Sequence, residues 1–236
     1  MPNHSQSPKR QTRRSSRKRA GNLLNKELKL CASPLSFLFL GFTALTLLPK
    51  FAILSGPLLV CIGIFYSFYR LRESGDLEYS VLLPLHKEEV VLGKYLFAGF
   101  LQGTAFLLTV VFSALRRFVL AGRGLYEGNI LLPSNLTFLA FTVLIFAAFN
   151  YLFLLGLFRD GYKVQGPLLR FLLCGVLLLA LAEGLHHVQA VPFLDGEDLA
   201  SLLVQGGLLA VSLAVYFLLT RLAWRRSAAV FQELEF

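Results

Sequence analysis

The sequence predicts an all-α fold: a polytopic membrane helix bundle of six spans, with an N-terminal interfacial helix and a short cytoplasmic helix in the first loop. Three observations predict it. Apolar residues make up 56% of the 236-residue chain and charged residues only 16%, against about 25% in ordinary globular domains. The missing charge is concentrated in long uncharged blocks, and about 18 apolar residues in a row suffice to cross a bilayer. Finally, the basic residues are unevenly placed. Residues 1–29 hold nine Lys and Arg against the single acid Glu27, so nearly all of the net charge of +9 resides there. A soluble core this apolar would leave too little polar surface to cover it.

Residues 1–20, MPNHSQSPKRQTRRSSRKRA, carry almost no apolar side chains. Such a segment cannot offset its ordering entropy and reads as a disordered basic tail. Its charge suits the cytoplasmic side and an anionic lipid surface. No aromatic residues are interleaved with the bases, so a nucleic-acid partner is not expected. Residues 21–32 place Leu23, Leu24, Leu28 and Cys31 at helical spacing, with Lys26, Glu27 and Lys29 opposite. That pattern predicts an amphipathic helix lying in the membrane interface.

Six spans fill a transmembrane domain over residues 33–226. They are expected at Pro34–Leu48, Phe51–Tyr69, Lys94–Leu115, Ser134–Phe158, Pro167–Leu185 and Leu199–Thr220, leaving 227–236 as a cytoplasmic tail. Only Pro49 and Lys50 separate the first two, which predicts a tight hairpin, and Gly56–Pro57 predicts a bend near the start of the second. The first block ends TALTLLPKF without a small-x-small cleavage pattern, so it is expected to persist as a span. A cytoplasmic amino terminus puts Arg70, Arg72, Lys87, Lys94, Arg159, Lys163, Arg170, Arg221, Arg225 and Arg226 inside. Lys50, Arg116, Arg117 and Arg123 then lie outside. The inside excess places both termini in the cytoplasm of a cell membrane, although Arg116, Arg117 and Arg123 run against the trend.

The first cytoplasmic loop, 70–94, concentrates acids, bases, a proline and glycines: ESGDLEYSVLLPLHKEEVVLGKY. Asp76–Leu83 reads as two helical turns with Leu77 and Val81 on one side. Pro84 stops that helix. A second begins near Lys87, with Glu88 and Glu89 in its favourable first turn, and enters the third span through Gly93 and Lys94. The layout is a short surface helix hinged at Pro84 to a membrane-entering one.

The sequence LEYSVLLPL followed by KEEVVLGKY resembles the first cytoplasmic loop of the small six-span bacterial permeases among the type-two ATP-binding-cassette exporters. The basic start, interface helix and six spans resemble them too. The chain departs from them at Leu85 and His86, where such permeases often carry a small hydroxyl residue. The resemblance implies a coupling helix that docks on a separate ATPase subunit through Asp76, Leu77, Glu78, Tyr79, Val81, Leu82, Leu83 and Pro84. It implies ATP and Mg²⁺ on that partner, and a second permease subunit, identical or different, completing the pathway. It also implies amphipathic peptides or other hydrophobic compounds as cargo. This chain has no G-x-x-x-x-G-K-[ST] phosphate loop, so no ATP hydrolysis of that kind is expected from it.

No Ser-His-Asp set, Cys-His pair or paired carboxylate occurs at compatible depth, and no catalytic residue is assigned. Cys31, Cys61 and Cys174 show neither disulfide nor metal spacing. Glu183, His186 and His187 offer a single Glu-x-x-His pair, which reads as a solvated helix end rather than a metal site. Gln102, Asn150 and Gln205 are polar groups within spans, suited to interhelical bonding or to a substrate path. Gly99 and Gly103 form a G-x-x-x-G pair that permits close helix packing. Asn135 opens an N-x-T sequence too near the membrane to be glycosylated. The expectation is thus a permease subunit of an ATP-driven exporter. The alternatives are a non-transporting scaffold that binds another cytoplasmic partner, and an ion-driven transporter. The latter predicts charged groups and broken helices at mid-membrane.

Overall fold

A computed structural model describes residues 21–29, 33–73, 87–120, 126, 131–161, 163–188, 192–194, 196 and 198–233. Among these the chain is all-helical, with no strand. The expected disordered tail, the coupling segment 76–84 and the final three residues lie outside the described residues.

Helix α1 (Gly21–Lys29) is bent by 105° from α2 (Pro34–Leu40), which continues as a 3₁₀ helix over Gly41–Leu47. Ser33 caps α2 by accepting from the Leu35 N–H, and Pro34 occupies the first turn, where its missing N–H costs nothing. Seven α and seven 3₁₀ residues rise roughly 25 Å, close to the ~30 Å hydrocarbon thickness. α2 lies against α3 (Ser55–Glu73) through small residues. Ser36 Oγ donates to the Gly63 carbonyl at 2.7 Å and bonds Ser67 Oγ. A Cβ on Gly63 would stand 2.4 Å from Phe39 Cβ, so glycine is required for this approach.

The hairpin between them turns at Lys50, in the left-handed region at φ 56°. α3 begins four residues later than the sequence suggests. Gly56 and Pro57 therefore fall in its first turn and start the helix instead of bending it. Gly56 also lets α3 approach α2, since a Cβ there would meet the Phe42 carbonyl oxygen at 2.8 Å.

α4 (Lys87–Leu115) closes in a π-helical turn, Arg116–Leu120. α5 (Leu136–Arg159) contains a second π turn, Phe149–Leu154. α6 (Gln165–His187) and the 35-residue α7 (Leu199–Glu233) complete the bundle. Four helices, α4 to α7, are each long and apolar enough to cross a membrane.

α5 is the central helix. In its most apolar window 83% of residues are buried, against 11% for α7, and it touches α3, α4, α6 and α7. Its π turn carries an aromatic hub. Phe153 meets Phe65 and Phe68 of α3, while Phe149 meets Phe171 of α6 edge-on at 5.1 Å. Asn135 caps α5, its Oδ1 accepting from the Phe138 N–H and its Nδ2 donating to the Leu194 carbonyl. The residue of the N-x-T sequence is thus a structural cap.

α4 and α7 are antiparallel and both exceed the bilayer: at 1.5 Å per residue each runs about 50 Å. Their excess lies together at the Lys/Arg-rich end. Residues 227–233, expected as tail, continue the helix, with Ser227, Ala228 and Phe231 buried.

Candidate functional site

Two polar assemblies stand out in this apolar bundle. The first joins α4, α5 and α7 inside the membrane. Gln102 of α4 and Asn150 of α5 form a reciprocal amide pair: Gln102 Nε2 donates to Asn150 Oδ1 at 2.9 Å, and Asn150 Nδ2 donates to Gln102 Oε1 at 3.1 Å. Asn150 Nδ2 also donates to Thr220 Oγ1 at 2.9 Å, and Tyr216 Oη donates to Gln102 Oε1 at 2.9 Å. Both amides are 1% exposed. Isolated amides in hydrocarbon would be costly, and here each is satisfied by its neighbours. Asn150 is nine residues from Arg159, about 13 Å of helix and so near mid-membrane. It lies within the π turn, a helix irregularity frequently found at functional sites.

This cluster forms one wall of a cleft of about 420 Å³ between α4, α5 and α7. The other walls are apolar: Phe106, Val143, Phe146, Leu213 and Phe217. Gly99 and Gly103 line the cleft instead of gripping a neighbouring helix. A Cβ on Gly103 would meet nothing within 4 Å, and one on Gly99 only the Tyr216 hydroxyl at 3.8 Å. Gln205 belongs elsewhere. Its Nε2 donates to the carbonyls of Phe193 and Gly196, tying the start of α7 to the preceding loop. At the same end the Ser201 hydroxyl donates to Asp198 and holds that carboxyl below its ordinary range.

The second assembly surrounds the root of α4, the helix that follows loop 70–94. Lys94 Nζ and Glu27 Oε2 form an ion pair at 2.8 Å, with side chains 3% and 1% exposed. Glu27 therefore turns into the protein, not toward water with Lys29, and Leu23 is buried one turn before it. Gly93 makes room: a Cβ there would meet Glu27 Oε1 at 3.0 Å. On the opposite side, Tyr95 Oη bonds Ser227 Oγ at 2.9 Å, and Gln232 Nε2 donates to Glu88 Oε1 at 2.7 Å. Lys87 Nζ donates to the Gln232 carbonyl. The first turns of α4 are thus held between α1 and the end of α7.

At the far end, Arg116 is buried in the π turn of α4. Its Nη1 donates to the Thr46 carbonyl at 2.8 Å, and its guanidinium stacks over Tyr126 at 4.3 Å. Tyr126 in turn donates to the Leu47 carbonyl. Glu183 accepts from the Leu132 N–H at 3.0 Å. No group of three or more His, Cys, Asp or Glu suited to a metal occurs among the described residues. The expected docking residues Asp76, Leu77, Glu78, Tyr79, Val81, Leu82, Leu83 and Pro84 lie outside the described residues, so their surroundings are not part of this geometry. Neither the π turns nor the ion pair is marked in the sequence. A basic residue directly after a glycine at the end of a predicted loop carries no mark of burial.

An all-helical bundle of long apolar helices, with buried amides and an open cleft between three of them, defines a multi-pass integral membrane protein. The family comparison is specific: residues 22–224 match the model of the ABC-2 family transporter proteins, and the chain belongs to that family. It is therefore a membrane subunit of an ABC transporter, and the family implies an ATPase partner. No curated protein and no solved structure matches the chain.

Proposed function

We propose that the chain is the permease subunit of an ATP-driven exporter in a bacterial plasma membrane, with six spans and both termini cytoplasmic. In this reading α2 with its 3₁₀ extension and α3 supply the first two spans, and α4 to α7 the rest. Two such subunits, identical or different, form the pathway. ATP and Mg²⁺ act on the separate ATPase. ATP binding moves the loop around Leu77–Leu83, and the bundle switches from inward- to outward-facing.

The observation that carries this reading is the grip on the root of α4, taken together with the family match over 22–224. A push on the loop reaches α4 directly. α4 is joined there to α1 by Glu27–Lys94 and to α7 by Tyr95–Ser227, and deeper in the membrane to α5 by Gln102–Asn150. Displacement at the surface is thereby passed to the helices around the cleft. The largely apolar cleft with one polar wall suits an amphipathic or hydrophobic cargo.

The test replaces Leu77 and Val81 together with Asp and co-expresses the chain with its ATPase. The expected result is normal membrane insertion, loss of ATPase co-purification and loss of ATP-driven export. A variant that keeps the ATPase bound and exports at the original rate overturns the docking assignment.

A further inference from the structure

The Lys/Arg-rich end carries a groove that the transport reading does not use. α6 and α7 flank the last turns of α5, and between them lies a space of about 420 Å³. Its floor is Tyr151, Leu155 and Gly156. Three arginines from three helices line it: Arg159 at the end of α5, Arg170 near the start of α6 and Arg226 in the extension of α7. Gly156 lets α6 approach here, since a Cβ would stand 2.9 Å from Pro167 Cβ.

Two of these side chains are held in position. Arg226 Nη1 donates to the Tyr151 hydroxyl at 2.9 Å. Arg170 pairs with Asp160 and donates from Nε to the Gly166 carbonyl. Arg159 has no ion pair among the described residues. Asp160 offsets one of the three cations, leaving a local excess of two positive charges. An arginine that merely snorkels reaches for bulk water on its own. These three converge on one recess with an apolar floor.

The flanks of the recess show what fills it. One helical turn farther from the Lys/Arg-rich end than Arg170 and Arg226, Leu173 of α6 and Leu222 of α7 are exposed. An occupant must therefore be anionic at one end and apolar along its length. We infer that the groove is a binding site for an anionic phospholipid, its phosphate held by Arg159 and Arg226 beside Arg170 and one acyl chain lying along Leu155. Guanidinium groups suit this because their forked donors match phosphate oxygens, and basic recesses between membrane helices accept such headgroups. The site rests on membrane residence and on geometry alone, so it stands or falls independently of the docking of loop 70–94.

The test is native mass spectrometry of the detergent-purified full chain with phosphatidylglycerol and phosphatidylcholine added in competition. The expected result is one retained phosphatidylglycerol, with a preference on the order of tenfold that is lost in R159Q/R226Q. The charge-conserving R159K/R226K is expected to keep most of the preference, and R225Q, whose exposed side chain does not line the groove, to keep all of it. Far-UV circular dichroism establishes that each variant is folded, and single R159Q and R226Q substitutions replace the pair should the double variant unfold. Three outcomes overturn the site: a folded R159Q/R226Q that retains full preference, R225Q losing as much as the pair, or excess inorganic phosphate displacing the lipid completely. The second assigns the effect to diffuse charge, and the third to a free anion.

Discussion

The Glu27–Lys94 pair permits a quantitative prediction. Both side chains are almost fully withdrawn from water and stand 2.8 Å apart. Removing one leaves the other charge buried and uncompensated, at a typical cost of about 3–5 kcal/mol, whereas replacing both with apolar groups of similar size is often near neutral. The two single variants are not equivalent. Lys26 Nζ lies 3.9 Å from Glu27 Oε1 and is itself withdrawn from water, so it partly compensates Glu27 in Lys94→Met. That variant is expected to lose about 2–3 kcal/mol, and Glu27→Met, which takes this carboxylate from the buried Lys94, about 3–5 kcal/mol. For a chain of this size 1 kcal/mol corresponds to about 2–4 °C in unfolding midpoint. Thermal unfolding in detergent should place Lys94→Met roughly 4–12 °C and Glu27→Met roughly 6–20 °C below the parent, and E27M/K94M within about 4 °C of it. The reasoning is refuted if the double variant shows the sum of the two single losses, because uncoupled sites add and coupled ones do not.

Asn150→Leu removes three interhelical hydrogen bonds, each averaging about 0.6 kcal/mol in a membrane, and should cost about 2 kcal/mol in detergent unfolding. Tyr216→Phe removes one bond and should cost about a third as much by the same measurement. Gly103→Ala meets only open space and is expected to leave export intact, while Gly103→Leu fills the cleft and should abolish export with stability changed by less than about 1 kcal/mol. Equal export by the alanine and leucine variants in a vesicle assay would remove the cleft from the pathway. Asn135→Ala deletes the cap of α5 and should lower the unfolding midpoint by an amount equivalent to about 1 kcal/mol.

The long helices were legible because lipid and helix periodicity act on whole blocks. Residues 136–159, 165–187 and 199–233 each contain an apolar run long enough for its length alone to decide. The tight turn at Pro49–Lys50 was legible for the complementary reason, a break with no room for anything but a hairpin. What escaped were features decided by partners distant in sequence. Glu27 sits on a face that one-dimensional reading calls polar, and only the arrival of Lys94 from 67 positions away makes it interior. The π turn at Phe149–Leu154 has no composition signal, because FNYLFL is as compatible with a regular helix. It is set by aromatic packing against α3 and α6 and by the amide bonds to α4. Gly99 and Gly103 match a packing pattern, yet within this chain Gly103 borders open space and Gly99 meets only the Tyr216 hydroxyl of α7. Arg116, which ran against the charge trend, finds its partners in the Thr46 carbonyl of the 3₁₀ segment and the Tyr126 ring.

The proposed mechanism depends on loop 70–94 facing the cytoplasm and receiving force there from a separate ATPase. The most direct measurement places a photo-crosslinking residue at Tyr79 and irradiates intact membranes that contain the co-expressed ATPase, with and without ATP. The account predicts a specific adduct with the ATPase, changing in yield with nucleotide, and protection of the same position from impermeant label applied outside the cell. Labelling of residue 79 from the outside, with no ATPase adduct under either condition, would contradict it.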